Sequence, residues 1–178
     1  MQEYQMKQML KSSVEETFLV TFNECPEIIY FDNFDDMQEE CVISSIGFNG
    51  TLEGTCALCL PDSSACSLVS RMTGQKVDEV SVEIIDGIGE LVNIILGGIK
   101  MKLEGTDFAF NISVPSCIKG SRMVILSDIK KTTTINVRYK FQDAFFVISL
   151  MYKAKPKDDA DAKKKLALEK LRSLGLKK

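Results

Sequence analysis

Asp86, Glu90, Asn93 and Gly97 follow one another at spacings that, on a helix turning about 100° per residue, place all four within about a 60° stripe. The chain has no histidine, so the commonest general base and metal ligand is missing, and with it serine-hydrolase triads and most zinc hydrolase sites. Any catalysis must draw on carboxylate, amide, hydroxyl, thiol or amine groups. The stripe offers the first two side by side. Ile84, Ile88, Leu91, Ile95 and Ile99 lie on the opposite side of the same helix, which makes the stripe a narrow polar window on an otherwise buried element. Glycines 87, 89, 97 and 98 flank it. Each costs about 1 kcal/mol against alanine in a helix interior, so they need a reason. Either another protein or backbone approaches closely here, or the helix packs tightly on a neighbouring element.

A second arrangement with chemical potential is Cys56-Ala57-Leu58-Cys59. On a strand, residues three apart point to opposite faces, no histidine or partner pair completes a zinc site, and the thioredoxin motif belongs at a helix start. The six cysteines (25, 41, 56, 59, 66 and 117) therefore read as reduced, mostly buried thiols rather than a metal, redox or disulfide framework. No metal site is expected.

The elements that must position the stripe can be read from periodicity. Residues 5–23 carry Met6, Met9, Leu10, Val14, Thr17 and Phe18 at helical spacing, and the chain breaks near Pro26. Strands are expected at Cys41–Phe48 and Gly54–Leu60, joined by Asn49-Gly50, a hairpin signal. Pro61-Asp62-Ser63-Ser64 then supplies a turn and a helix N-cap, Ala65, Leu68, Val69 and Met72 have helical spacing, and Gly74 suits a C-terminal cap. The long helix carrying the stripe spans about Val80–Lys100. Further strands are expected over Phe108–Val114, Met123–Leu126, Thr133–Phe141 and Phe145–Tyr152, the last two joined by a turn at Gln142-Asp143-Ala144. Helix, strand pair, two helices and then strands make an α+β domain, a mostly antiparallel sheet packed against helices.

At 178 residues, 45% of them hydrophobic and 26% charged, the chain suits one globular domain with a proper core. Residues 1–152 hold 12 Lys+Arg against 21 Asp+Glu, whereas residues 153–178 hold 10 against 4. The acidic body argues against a nucleic-acid surface. The basic C-terminal stretch, set off near Pro156, is expected to form a short appended helix. No apolar run is long and clean enough for a membrane span, and the start of the chain lacks secretory character, so a cytoplasmic protein without membrane insertion is expected.

By geometry alone the stripe is an ordinary solvated face; the identity and order of its residues say more. The segment from Ser70 to Gly98 resembles the CheC/CheX/FliY family of chemotaxis phosphatases, whose motif is Asp or Ser, three residues, Glu, two residues, Asn, and a proline a little over twenty residues later. Here these are Asp86, Glu90, Asn93 and Pro115, preceded by Met72-Thr73-Gly74. The order of elements from about Leu10 to Tyr152 is also similar. CheC-like members carry two such motifs and this chain shows one, which points to the CheX branch. The tail after Tyr152 departs from the compact pattern.

The resemblance implies a CheC/CheX-like fold and a phosphatase acting on the aspartyl phosphate of a CheY-like response regulator. It implies that Asn93 orients the attacking water and that Glu90 pairs with the regulator's active-site lysine; Asp86, which extends the acidic rim or caps a loop, and Gly97 of the same stripe are further candidate partner-binding positions. Positioning and electrostatics do most of the work in phosphoryl transfer, and the Mg2+ ion is expected in the regulator, with no cofactor bound by this chain. A homodimer is implied as well. The alternative is a non-catalytic module of the same fold that binds a response regulator or a flagellar switch component.

Overall fold

Helix α1 (Glu3–Phe22) forms where Met6, Leu10, Val14 and Phe18 recur every fourth residue, and those are the side chains it buries. It ends at Asn23, whose left-handed backbone (φ 57°) lets its N–H reach the Leu19 carbonyl. The computed structural model describes residues 2–31, 37–123 and 132–155. After α1 come β1 (Glu27–Phe31), β2 (Met37–Gly50), β3 (Leu52–Pro61), α2 (Asp62–Thr73), α3 (Val82–Leu103), β4 (Phe110–Ile112), β5 (Ser116–Met123), β6 (Thr133–Phe141) and β7 (Ala144–Ala154). The seven strands form one antiparallel sheet ordered β1-β6-β7-β3-β2-β4, with β5 also paired to β2. The α+β class expected from the sequence is the observed one.

Period-two alternation puts one set of side chains under the helices. A row of paired residues runs Ile46, Cys56, Leu150, Ile135 across four strands, and the next runs Ser44, Leu58, Ile148, Val137. Helices α1, α2 and α3 close this face with Leu10, Phe18, Leu68, Ile84, Ile88, Leu91 and Ile95. The other face holds a smaller cluster of Cys41, Ile43, Ala57, Cys59 and Val147, so the central strands bury both sides. The two cysteines of the C-x-x-C accordingly lie on opposite faces, as strand geometry requires.

Several expectations need correcting. Strand β1 was not expected; its E-I-I-Y-F run shows no alternation and gains its place by pairing with β6 at the sheet edge. Strand β5 is polar in sequence and is held by backbone pairing to β2, while most of the strand expected at Met123–Leu126 lies outside the described residues. The Phe108–Val114 strand contracts to β4. Asn49 and Gly50 do belong to the hairpin, but both stay within β2 and pair with β4. A Cβ on Gly50 would meet the Ala109 carbonyl oxygen at 2.5 Å, so close strand approach, not a turn conformation, requires glycine there. Helix α2 starts at Asp62 with no side-chain cap, and Ser64 instead accepts the Phe145 N–H at 3.0 Å. Its end is as expected, at Gly74 with φ +69°.

The sheet continues beyond Tyr152. Lys153 and Lys155 both pair with Glu53, at 3.0 and 2.8 Å, and the Lys155 N–H donates to the Thr51 carbonyl. These first basic residues of the C-terminal stretch thus belong to the edge of the folded body; the helix expected further on lies outside the described residues.

Candidate functional site

Helix α3 carries the stripe because its apolar residues outnumber its polar ones and it must bury most of its circumference. Ile84, Ile88, Leu91, Val92, Ile95, Leu96 and Ile99 are all buried. Asp86 and Glu90 are exposed, and Asn93 and Gly97 are half-buried. The Asn93 amide nitrogen lies 3.5 Å from a Glu90 carboxylate oxygen, at the long limit of a hydrogen bond, so the two groups sit together one turn apart without being locked. Asp86 has no hydrogen-bond or ion-pair partner among the described residues. Pro115 packs on the same helix: a Cβ on Gly89 would meet Pro115 Cγ at 3.6 Å and Cys117 Sγ at 3.7 Å. All four residues of the spaced motif therefore converge on one helix, with Pro115 buttressing it next to Glu90.

The neighbours of α3 hold it against rotation. At Gly87 a Cβ would meet Val69 Cγ2 of α2 at 2.9 Å. At Gly98 it would collide with the Ser13 hydroxyl of α1, which itself donates to the Ile95 carbonyl at 2.5 Å. Lys102 of α3 and Glu16 of α1 form an ion pair at 2.5 Å, and this partner, with Ser12, holds the Glu16 carboxyl below its usual range. Packing thus accounts for Gly87 and Gly98. It does not account for Gly97, where an added Cβ would meet nothing within 4 Å among the described residues.

Beyond Asn93 the stripe opens into a groove of about 580 Å³ between α1 and α3, lined by Asn93, Gly97, Met101, Thr17, Val20 and Glu104 among others. The α1 side of this groove was not anticipated from the sequence. Val20 falls off the buried stripe of α1, and an apolar residue there was the available signal. The thiols stand apart from the site: burial pushes Cys56 up to about 12 and Cys59 higher still, so neither is a thiolate at neutral pH. Among the described residues no group of three or more Cys, Asp or Glu is placed to hold a metal ion.

A family model described as chemotaxis phosphatase CheX matches residues 42–140, more than half of the chain. The chain belongs to the CheX family. Among solved structures it is similar to the chemotaxis protein CheX from Vibrio vulnificus, at 18% identity and a TM-score of 0.74 over 84% of this chain and 99% of that one. A CheC-like superfamily protein from Shewanella sp. PV-4 matches at 20% identity and a TM-score of 0.74, covering 86% and 100%. The CheX–CheY–BeF3–Mg2+ complex from Borrelia burgdorferi matches at 18% identity and a TM-score of 0.68, covering 83% and 97%. At these identities the likeness is one of fold. No curated protein matches the chain. No helix among the described residues is long and apolar enough to cross a membrane.

Proposed function

We propose that this CheX-family chain hydrolyses the aspartyl phosphate of a CheY-like response regulator, with Asn93 orienting the attacking water and Glu90 pairing with the regulator's active-site lysine. The observation that carries the proposal is the placement of Glu90 and Asn93 side by side, 3.5 Å apart, on the solvent-facing stripe of a helix whose other faces are buried. A rigid helix backed by α1, α2 and the sheet can present these two groups to a partner without reorganising. The complex of the Borrelia burgdorferi CheX with CheY supports a CheY-like partner for this chain.

In this reading the chain supplies no metal and no covalent intermediate. The amide of Asn93 can donate to one acceptor and accept from a water, which fixes that water's direction of attack. The Glu90 carboxylate meets a cationic group on the regulator and sets the register between the two proteins, so that the amide arrives at the phosphate rather than beside it. The Mg2+ ion belongs to the regulator's own site. Asp86, one turn before Glu90, extends the acidic edge toward the same partner, and Gly97 leaves the other end open. A homodimer in the cytoplasm is part of the same proposal, and the solution mass of the purified protein tests the dimer.

The test is phosphate release from a panel of phosphorylated receiver domains. Acceleration of release from one or more of them is expected. Binding of a phosphorylated receiver with no acceleration would favour the non-catalytic module.

A further inference from the structure

We propose that the groove floored by Gly97, between the C-terminal half of α1 and α3, takes an apolar side chain of the same receiver domain whose phosphate lies at Asn93. This rests on the phosphatase reading above and adds to it a docking pocket outside the reacting groups.

Gly97 is the starting point. A glycine in a helix interior weakens the helix relative to alanine, and at Gly87 and Gly98 the neighbouring Val69 and Ser13 explain why no Cβ is tolerated. At Gly97 a Cβ would enter open space, so nothing among the described residues requires its absence. The missing side chain instead deepens the groove from outside. Around it stand Val20 (87% exposed), Met101 (74%) and Ile94 (40%), three large apolar side chains left in water on two adjacent helices. Apolar surface gathered at a concave site marks an interaction surface rather than a solvated face.

The occupant follows from continuity. Asn93 lines the same groove, and Gly97 lies one helical turn, about 6 Å, further along α3. An aspartyl phosphate is part of a folded domain, and a specific protein interface covers roughly 800 Å² on each partner. A domain that presents its phosphate at Asn93 must lay the adjoining surface on one or other end of the stripe. Toward Asp86 the stripe is acidic, and Gly87 beside it is filled by Val69; toward Gly97 it is concave, and Val20, Ile94 and Met101 form an apolar patch rimmed by Glu16, Lys100 and Glu104. An aliphatic or aromatic side chain beside the receiver's phosphate site fits there, with Met101 free to adapt around it.

The experiment measures binding of a beryllofluoride-activated, Mg2+-loaded receiver domain, taken from the panel above, to the full chain and to Gly97→Ala, Gly97→Leu and Met101→Ser. Gly97→Leu fills the groove and is expected to weaken binding tenfold or more. Gly97→Ala should weaken it by a few-fold while raising the thermal midpoint, and Met101→Ser by a few-fold without filling anything. In turnover assays the loss should appear in KM. Wild-type binding by Gly97→Leu overturns the proposal, as does a loss confined to kcat. Dissociation of a self-associated wild type by Gly97→Leu, with receiver binding unchanged, also overturns it and makes the groove a contact between copies of this chain. A wild-type chain that binds the receiver yet leaves its phosphate intact defeats the phosphatase reading instead, and the ratio of variant to wild-type affinity still decides the groove.

Discussion

Ser13 of α1 stands directly over Gly98 of α3, so close that a Cβ at position 98 would collide with the hydroxyl that Ser13 donates to the Ile95 carbonyl. This contact sets how near α1 comes to the helix carrying the site. Gly98→Ala should therefore destabilise the fold by roughly 1–3 kcal/mol despite its gain in helix propensity, because the serine must leave its bond or the helices must part. Ser13→Ala alone should cost about 1 kcal/mol. In the double variant the obstructing oxygen is gone, and the combined cost should fall short of additivity by at least about 0.5 kcal/mol. Urea unfolding of the four proteins checks this; strict additivity would mean that the two residues do not meet.

Tyr139 gives a prediction of opposite sign. Its ring is fully buried and stacks on Phe146 at 5.1 Å between centroids, and its hydroxyl has no hydrogen-bond partner among the described residues. Tyr139→Phe keeps the ring and removes the unsatisfied group, so stability should rise by about 1 kcal/mol. An increased urea midpoint at unchanged slope is the expected result. A loss of similar size would mean that the hydroxyl is satisfied after all.

The thiols predict a dependence on pH. Burial raises Cys56 to about 12, while an unfolded thiol titrates near about 8.5. The folded state thus holds a proton that the unfolded state releases. This contribution to stability is complete below about pH 8.5 and is lost as pH rises toward the folded value. Unfolding midpoints should fall above pH 9, and Cys56→Ala should flatten that fall. At neutral pH a thiol reagent should modify exposed Cys25 well before Cys56 or Cys59. Phosphatase activity should stay within a few-fold on replacing either buried cysteine; activity that follows the redox state would revive a role for the C-x-x-C.

The helices and the polar stripe of α3 were legible in the sequence because α3 combines strong helical periodicity with a motif whose spacing matches one face. The β6–β7 hairpin was legible because its strands alternate, and the turn at Gln142 takes the left-handed backbone (φ 54°) that the break in pattern required. Strands β1 and β5 were not legible, since both are held by pairing with partners far along the chain, and short polar or unalternating runs carry no record of that. The groove was half legible. Gly97 was one of four helix glycines that needed a reason, and only the packing of Val69 of α2 on Gly87 and of Ser13 of α1 on Gly98 sets it apart from those two. Asn49-Gly50 teaches the reverse lesson: the hairpin was right, while the need for glycine comes from β4 lying against it.

The most direct test of the account compares phosphate release by the wild-type chain, Asn93→Ala and Glu90→Ala against one receiver domain, with binding and thermal unfolding measured in parallel. In the proposed mechanism Asn93 acts on the water, so its loss should lower the catalytic rate by about 10²-fold or more with the complex largely intact. The same proposal has Glu90 act through a charged contact, so its loss should weaken binding as well as slow release. Neither side chain is buried in the core, so unfolding midpoints should stay near that of the wild type. Folded variants that both release phosphate at the wild-type rate would contradict the assignment of the site.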